Sequence, residues 1–405
     1  MKLFDSKKEN VIISANNIKK TAFLIAAALV IGAICGVLGG AFAKSIGFVT
    51  DLRAENQWLI YLLPVAGLVS VGIYKLTKTE GVGTVRALES ARGEAKTPII
   101  LVPVIFAASV LTHLFGGSAG KEGAALQIGS GVAAAVSKIF RADDKMRSAL
   151  TVCGMAGLFS AAFGTPMGAC VFALEVAFFG RVQTLAVLPA AVSAVTAFVI
   201  SVALGVNPER FHVELIPDFG VAALLKTVLE AAVVALAAIV FCRLLSCGEK
   251  LAEKLFKNPF VRIFVGGCIV IVLTLIFGTD YNGGGMAVIE RVFEEETVRP
   301  EAFLLKIIFT VVTVCAGYKG GEIVPSLFIG ATLGAALSPI LGLPVDFCTA
   351  IGMTAFFGRV TNCPIASAFI AAELFGTEGF LLFAVAAYVP RIFSDKISLY
   401  HREDK

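Results

Sequence analysis

Thr151–Glu175 reads TVCGMAGLFSAAFGTPMGACVFALE, and Thr349–Glu373 reads TAIGMTAFFGRVTNCPIASAFIAAE. At a constant offset of 198 residues, Thr151, Gly154, Met155, Phe159, Pro166, Ala173 and Glu175 recur as Thr349, Gly352, Met353, Phe357, Pro364, Ala371 and Glu373. A second pair precedes these: GGSAGKEGAALQIG from Gly116 and GYKGGEIVPSLFIG from Gly317, with Gly116, Gly120, Ile128 and Gly129 answered by Gly317, Gly321, Ile329 and Gly330 at an offset of 201. The chain is two related halves. In a membrane protein such halves enclose a transport site built where helices are broken near the bilayer midplane.

Composition places the chain in a membrane. Of 405 residues, 57% are hydrophobic and only 16% charged, and the mean hydropathy is +0.87. Long apolar runs fall at Thr21–Val49, Leu59–Tyr74, Pro98–Phe115, Leu185–Leu204, Val221–Leu245, Phe260–Phe277 and Phe303–Gly317, several near the ~20 residues a spanning helix needs. Shorter, glycine-interrupted runs at Ala124–Phe140, Ser148–Phe163, Ile323–Leu341 and Pro364–Phe375 suit half-helices or re-entrant segments. The 40 glycines favour close helix packing. The fold class expected is all-α and polytopic, with two inverted repeats and broken helices.

The organisation expected is a polar cytoplasmic N-terminal segment (1–20), a first membrane repeat (21–205), an inter-repeat loop (206–220), a second membrane repeat (221–400) and a short C-terminal tail (401–405). Lys19 and Lys20 before the first apolar run favour a cytoplasmic N-terminus, and the polar first 20 residues carry no secretory signal pattern. A net charge of +4 is too small an excess to argue for nucleic acid. The charge clusters, Lys250–Lys257 among them, read as solvated loop ends. The nine cysteines are scattered in apolar context without a CxxC, as small packing residues are. His113, His212 and His401 have no metal-site spacing. No metal or other cofactor is expected.

Four stretches carry the chemistry: Gly81-Val82-Gly83-Thr84-Val85, Gly120-Lys121-Glu122-Gly123-Ala124, Gly321-Glu322-Ile323-Val324-Pro325, and Ser398-Leu399-Tyr400. A glycine-rich turn before a helix exposes unpaired N–H groups and the positive end of the helix dipole, which together bind anions. Backbone donors suit an anion in hydrocarbon, because a full positive charge there is costly and holds the ion too tightly for release. The anion-binding residues read from these loops are Gly81, Val82, Gly83, Gly120, Lys121, Gly123, Gly321, Ile323, Val324 and Tyr400.

Glu122 is the sharpest residue. At the start of an apolar segment, its carboxylate can occupy the anion site when ionised and swing away when protonated, so one group exchanges an anion for a proton. The plainer reading is an N-terminal acid complementing the helix dipole. Glu322 has the same two readings and is a secondary candidate. Glu175 and Glu373, each nine residues beyond a proline, read as capping or packing groups. Tyr400 reads as a hydroxyl donor to an ion or as an interfacial anchor.

From about Gly32 to Tyr400 these residues resemble the CLC anion channels and transporters. The family loops GSGIP, GREGP and GxFxP and a near-terminal tyrosine are similar to Gly81–Val85, Gly120–Ala124, Gly321–Pro325 and Tyr400. The resemblance implies the CLC fold and a homodimer with one anion pathway per subunit. Glu122 would be its gating glutamate and Tyr400 its central hydroxyl, and the segments around Pro166 and Pro364 would contribute to the dimer contact. Because the chain runs only five residues past Tyr400, no regulatory CBS domain is expected.

The departures matter as much. Val82 replaces the family serine, Val85 and Ala124 replace loop prolines, and Val176 stands at the inner proton-transfer glutamate of chloride/proton exchangers. This combination, with the run GGEIVPSLFIGATLG, resembles the compact fluoride-exporting branch. That branch commonly has methionine at the position of Val82 and threonine at that of Val324, so its ion contacts carry over incompletely. The function this implies is a fluoride/proton antiporter of the cell (inner) membrane. The alternative is a chloride channel or chloride/proton exchanger. A membrane enzyme or organic-anion carrier would need a convergent polar constellation, and no such pattern is present in the sequence.

Overall fold

Matching breaks punctuate the two halves. Asp144–Phe163 (α6) ends at Gly164 and Val345–Thr361 (α14) at Asn362, both left-handed, with φ of 79° and 57°. Glycine and asparagine are the residues that tolerate this conformation at a helix end. A proline two residues on, its fixed φ suited to a first helical turn, opens Pro166–Phe178 (α7) and Pro364–Phe375 (α15). At 13 and 12 residues, α7 and α15 are too short to cross a bilayer alone.

The computed structural model describes residues 2–178, 183–393 and 398–400, with side chains from residue 20 onward. The remaining helices of the first half are α1 (Lys2–Glu55), α2 (Leu63–Leu76), α3 (Thr84–Arg92), α4 (Leu101–Leu114), α5 (Glu122–Ile139) and α8 (Thr184–Ala203). Those of the second are α9 (Val221–Leu255), α10 (Pro259–Phe277), α11 (Met286–Glu295), α12 (Ala302–Ala316), α13 (Ile323–Leu341) and α16 (Phe380–Tyr388). Among the described residues, eight helices in one order are followed by eight in the same order. Lys20–Glu55, Gln57–Leu76, α6, α8, α9, α10 and α13 are long and apolar enough to span. The polar first residues do not form a separate element, since their backbone continues into the first span as one helix. The expected tail, 401–405, lies outside the described residues.

The repeat is visible in the packing. α5 lies on α6 as α13 lies on α14. At the first crossing the backbones of Gly129 and Gly154 touch, and at the second those of Gly330 and Gly352, residues related by the two sequence offsets. A Cβ at any of these would meet the carbonyl of the opposite helix, so the crossing depends on glycine. Buried α6 and α13 form the middle of the bundle. α10 is mostly on the outside, with Leu275 and Ile276 exposed at 64% and 65%, the apolar exterior expected against lipid. The cysteines are unpaired and, apart from Cys247 and Cys268, buried.

The halves are stitched together by their matched glutamates. Glu175 of α7 accepts hydrogen bonds from the N–H groups of Ile365 (3.2 Å) and Ala366 (2.8 Å) at the start of α15. Glu373 of α15 accepts from Met167 (3.0 Å) and Gly168 (2.7 Å) at the start of α7. Each carboxylate caps the first turn of the other repeat's helix, satisfying donors that have no partner within their own helix.

The amphipathic helices α3 and α11 were not apparent in the apolar runs. Each follows a glycine loop, and their apolar residues are too few to form a run. In α11 only Val288, Ile289 and Val292 are buried.

Candidate anion pathway

α5 and α13 begin side by side. Gly120 and Gly321, two residues ahead of their helices, form an isolated antiparallel bridge, each N–H donating to the other's carbonyl at 2.6 Å. Gly123 packs on the same backbone, where an added Cβ would sit 2.8 Å from the Gly321 Cα. Only residues without a Cβ let the two loops approach this closely. Two helix N-termini, each with a partial positive charge, therefore converge from opposite repeats.

The register at this junction follows the offset of 201 residues that relates the two loops in sequence. Lys121 and Glu322 are the N-cap residues, while Glu122 and Ile323 are the first helical residues. The structural counterpart of Glu122 is thus Ile323, fully buried, and Glu322 occupies the place of Lys121. Val324 is also buried.

Glu122 is fully buried. Its carboxylate lies beside the N–H groups of its own residue and of Val324, without a well-formed hydrogen bond to either. A Cβ on Gly120 would come within 2.7 Å of Oε2, so the side chain folds back over its own glycine loop at the junction of the two N-termini. Lys121 points elsewhere, its Nζ 3.3 Å from Glu209 Oε1 in the inter-repeat segment.

A cavity of about 710 Å³ leads toward this junction, and Gly81, Val82, Gly83, Glu322 and Tyr400 line it. Gly81 is left-handed at φ 71°. Tyr400 is buried and its hydroxyl has no partner among the described residues. Gly120, Glu122, Gly123, Gly321, Ile323 and Val324 stand behind the wall, with Gly123 reaching it through Thr84. Gln127 Nε2 donates to Thr84 Oγ1 at 3.1 Å and to the Gly123 carbonyl at 3.4 Å, tying the first loop to the second.

Several lining residues were not singled out in the sequence. Glu249 and Glu253 come from the end of α9 and Arg262 from the first turn of α10, and of these Glu253 belongs to the charge cluster Lys250–Lys257 that had read as a solvated end. Lys319 sits inside the GYKGGE run, and its Nζ lies 4.8 Å from the Tyr74 ring centroid. The signal for Lys319 was its position two residues before Gly321.

Two inverted repeats meeting through glycine loops, with a buried carboxylate at the junction and a cavity leading to it, define a membrane protein for anion transport. The chain belongs to the voltage-gated chloride channel family, the CLC family, whose model matches residues 66–395. It is 30% identical over 388 residues to a chloride/fluoride channel protein of Pseudomonas syringae pv. tomato, covering 94% of this chain and 86% of the relative. The crystal structure of a CLC-type fluoride/proton antiporter superposes with a TM-score of 0.89 at 30% identity, covering 93% of this chain and 96% of the other. A slow cyanobacterial Cl⁻/H⁺ antiporter has the same fold, with a TM-score of 0.79 at 20% identity over 93% and 96% of the two chains.

Proposed function

We propose that this protein exports fluoride in exchange for protons, with Glu122 as the group that takes the place of the anion and carries the proton. The supporting observation is the position of Glu122. Its carboxylate has no well-formed partner and lies at the junction of two helix N-termini, where a bare anion would be stabilised by the same N–H groups. The 30%-identical solved structure is a fluoride/proton antiporter, and the 30%-identical relative is named for both chloride and fluoride. Fluoride is small and strongly hydrated, so close backbone donors at glycine turns suit the replacement of its water. Val82 supplies no hydroxyl to the pathway, leaving backbone N–H groups and the hydroxyls of Thr84 and Tyr400 on the cavity wall as donors. Glu322, on the cavity wall, is assigned as a secondary proton carrier.

The working unit in this reading is a homodimer in the cell (inner) membrane, with one pathway per subunit. Met167 and Ile365, equivalent residues at the starts of α7 and α15, are both exposed, at 57% and 44%, as a symmetric apolar contact requires.

Efflux from proteoliposomes loaded with fluoride and chloride, with pH recorded, tests the reading. Fluoride loss coupled to proton uptake, with chloride retained, is expected. Glu122→Gln is expected to abolish the coupled proton movement. Rapid chloride loss without proton movement overturns the proposal in favour of a chloride channel, and chloride loss with proton movement in favour of a chloride/proton exchanger.

A further inference from the structure

A second cavity, of about 510 Å³, opens beside the first and shares Glu80, Gly81, Glu253, Arg262, Gly317 and Lys319 with it. Ser70, Val71 and Tyr74 of α2, Lys257 and Pro259 at the start of α10, and Ala316 of α12 complete its wall. The space exceeds by an order of magnitude the share of one water, about 30 Å³, and so is far larger than a monatomic halide needs.

Hydrogen-bond donors outnumber acceptors there. Lys319 faces the Tyr74 ring and makes no ion pair among the described residues. Tyr74 is 4% exposed and its hydroxyl has no partner among the described residues. Arg262 reaches Glu253 at 3.5 Å through Nη1, while its buried Nε donates to nothing. Lys257 adds a third cation at the rim against two carboxylates, Glu80 and Glu253. The 19-residue helix α10 also starts at this wall, presenting its positive end. The two helices framing the recess turn apolar side chains outward, Val65 and Val69 from α2, Val261 and Val272 from α10, so the recess lies next to the lipid-facing surface.

We propose that this recess binds a phosphate group, carried by an anionic phospholipid of the surrounding leaflet or by a free phosphate species. Arginine, lysine, a tyrosine hydroxyl and a helix N-terminus are the donor set that recognises such a group. Because Arg262 and Lys319 also line the larger cavity, an occupant neutralises cations at the entrance to the anion pathway. Binding itself is independent of the transport assignment; only this effect on flux rests on it.

The test uses the full-length chain in nanodiscs and proteoliposomes of phosphatidylcholine alone, of phosphatidylcholine with phosphatidylglycerol, and of phosphatidylcholine with added inorganic phosphate. Native mass spectrometry reads retained phosphatidylglycerol and ³¹P line broadening reads bound phosphate. Tyr74→Phe keeps the charge and the ring and removes only the hydroxyl, while Lys257→Gln removes an exposed rim charge. The wild type should retain one of the two phosphate sources, and both variants should retain it severalfold less. With that source present, the fluoride concentration for half-maximal efflux should rise roughly threefold in the wild type, the change one unit charge makes at a water-filled mouth, and less in Tyr74→Phe. A wild type that retains neither source, or variants that retain it equally, overturns the proposal. An efflux change of the same size in wild type and Tyr74→Phe would be a surface-potential effect and overturns the coupling to the pathway. Retention that depends on Tyr74 in a chain moving no fluoride keeps the recess and removes the transport reading.

Discussion

Gly120 and Gly321 hold each other by two backbone hydrogen bonds of 2.6 Å, a reciprocal pair lying where a pseudo-twofold axis between the repeats must pass. Their surroundings differ, and so do the consequences of changing them. A Cβ on Gly321 meets the backbone of Gly123, whereas a Cβ on Gly120 meets first the carboxylate of Glu122. Gly321→Ala is expected to cost about 1–3 kcal/mol through a forced backbone shift, seen as a lowered thermal midpoint in detergent. Gly120→Ala should fold with a smaller loss but displace Glu122, altering the pH dependence of anion flux. Equal stability losses for the two substitutions would contradict the geometry.

The exchanged caps predict a matched pair of effects. Glu175→Ala and Glu373→Ala each strip two N–H groups of their acceptor, and each should lower stability by about 1–2 kcal/mol. Anion selectivity, measured by paired fluoride and chloride efflux, should be unchanged, because neither carboxylate lines the cavity.

Lys306 is a fully buried cation on α12. Its Nζ donates to the carbonyls of Tyr281 (3.1 Å) and Gly283 (2.7 Å) and lies 5.0 Å from the Phe328 ring centroid. The loop it holds packs Gly284 against Val324. Lys306→Met leaves those carbonyls without their donor, at about 1–3 kcal/mol, and should slow fluoride efflux by loosening the packing on Val324 beside Glu122. An unchanged thermal midpoint together with wild-type flux would show that the ammonium is dispensable.

Thr84 couples the first two glycine loops through Gln127. Thr84→Val preserves shape while removing the hydroxyl, and should cost about 1 kcal/mol and reduce the rate of anion efflux. Thr84→Ser should restore the rate, since it returns the oxygen that accepts from Gln127.

Much of the architecture was legible because the same grammar is used twice. The runs Phe260–Phe277 and Ile323–Leu341 each became a helix with nearly the same limits, Val221–Leu245 one that continues through the charged stretch to Leu255, and Gly164-Thr165-Pro166 against Asn362-Cys363-Pro364 marked the breaks. The candidate loops at Gly81, Gly120 and Gly321 were also readable, since glycine just ahead of a run of helix-forming residues marks a tight turn into a helix. The detail at the site was not. The offset of 201 already pairs Glu122 with Ile323, but it does not tell that Glu322 lines the cavity while Glu122 is fully buried. Glu253 read as a solvated charge because sequence shows local neighbours only, and Arg262 is hidden in the apolar run Phe260–Phe277, whereas the turn between α9 and α10 brings both to the cavity wall. Lys306 sits in the apolar run Phe303–Gly317, and what compensates its burial is a pair of carbonyls more than twenty residues upstream.

The exchanged glutamate caps also bear on how the molecule assembles. Their hydrogen bonds join residues 190, 191, 205 and 206 positions apart, so neither half can finish its own short helices while it is alone in the bilayer. The first half emerges from synthesis with the start of α7 unsatisfied and must wait for α15. Contacts this distant in sequence form late and slowly. Two copies of one ancestral unit have in this way become a single obligate folding unit, and two separately expressed halves should reach the native state only when each is made in the presence of the other.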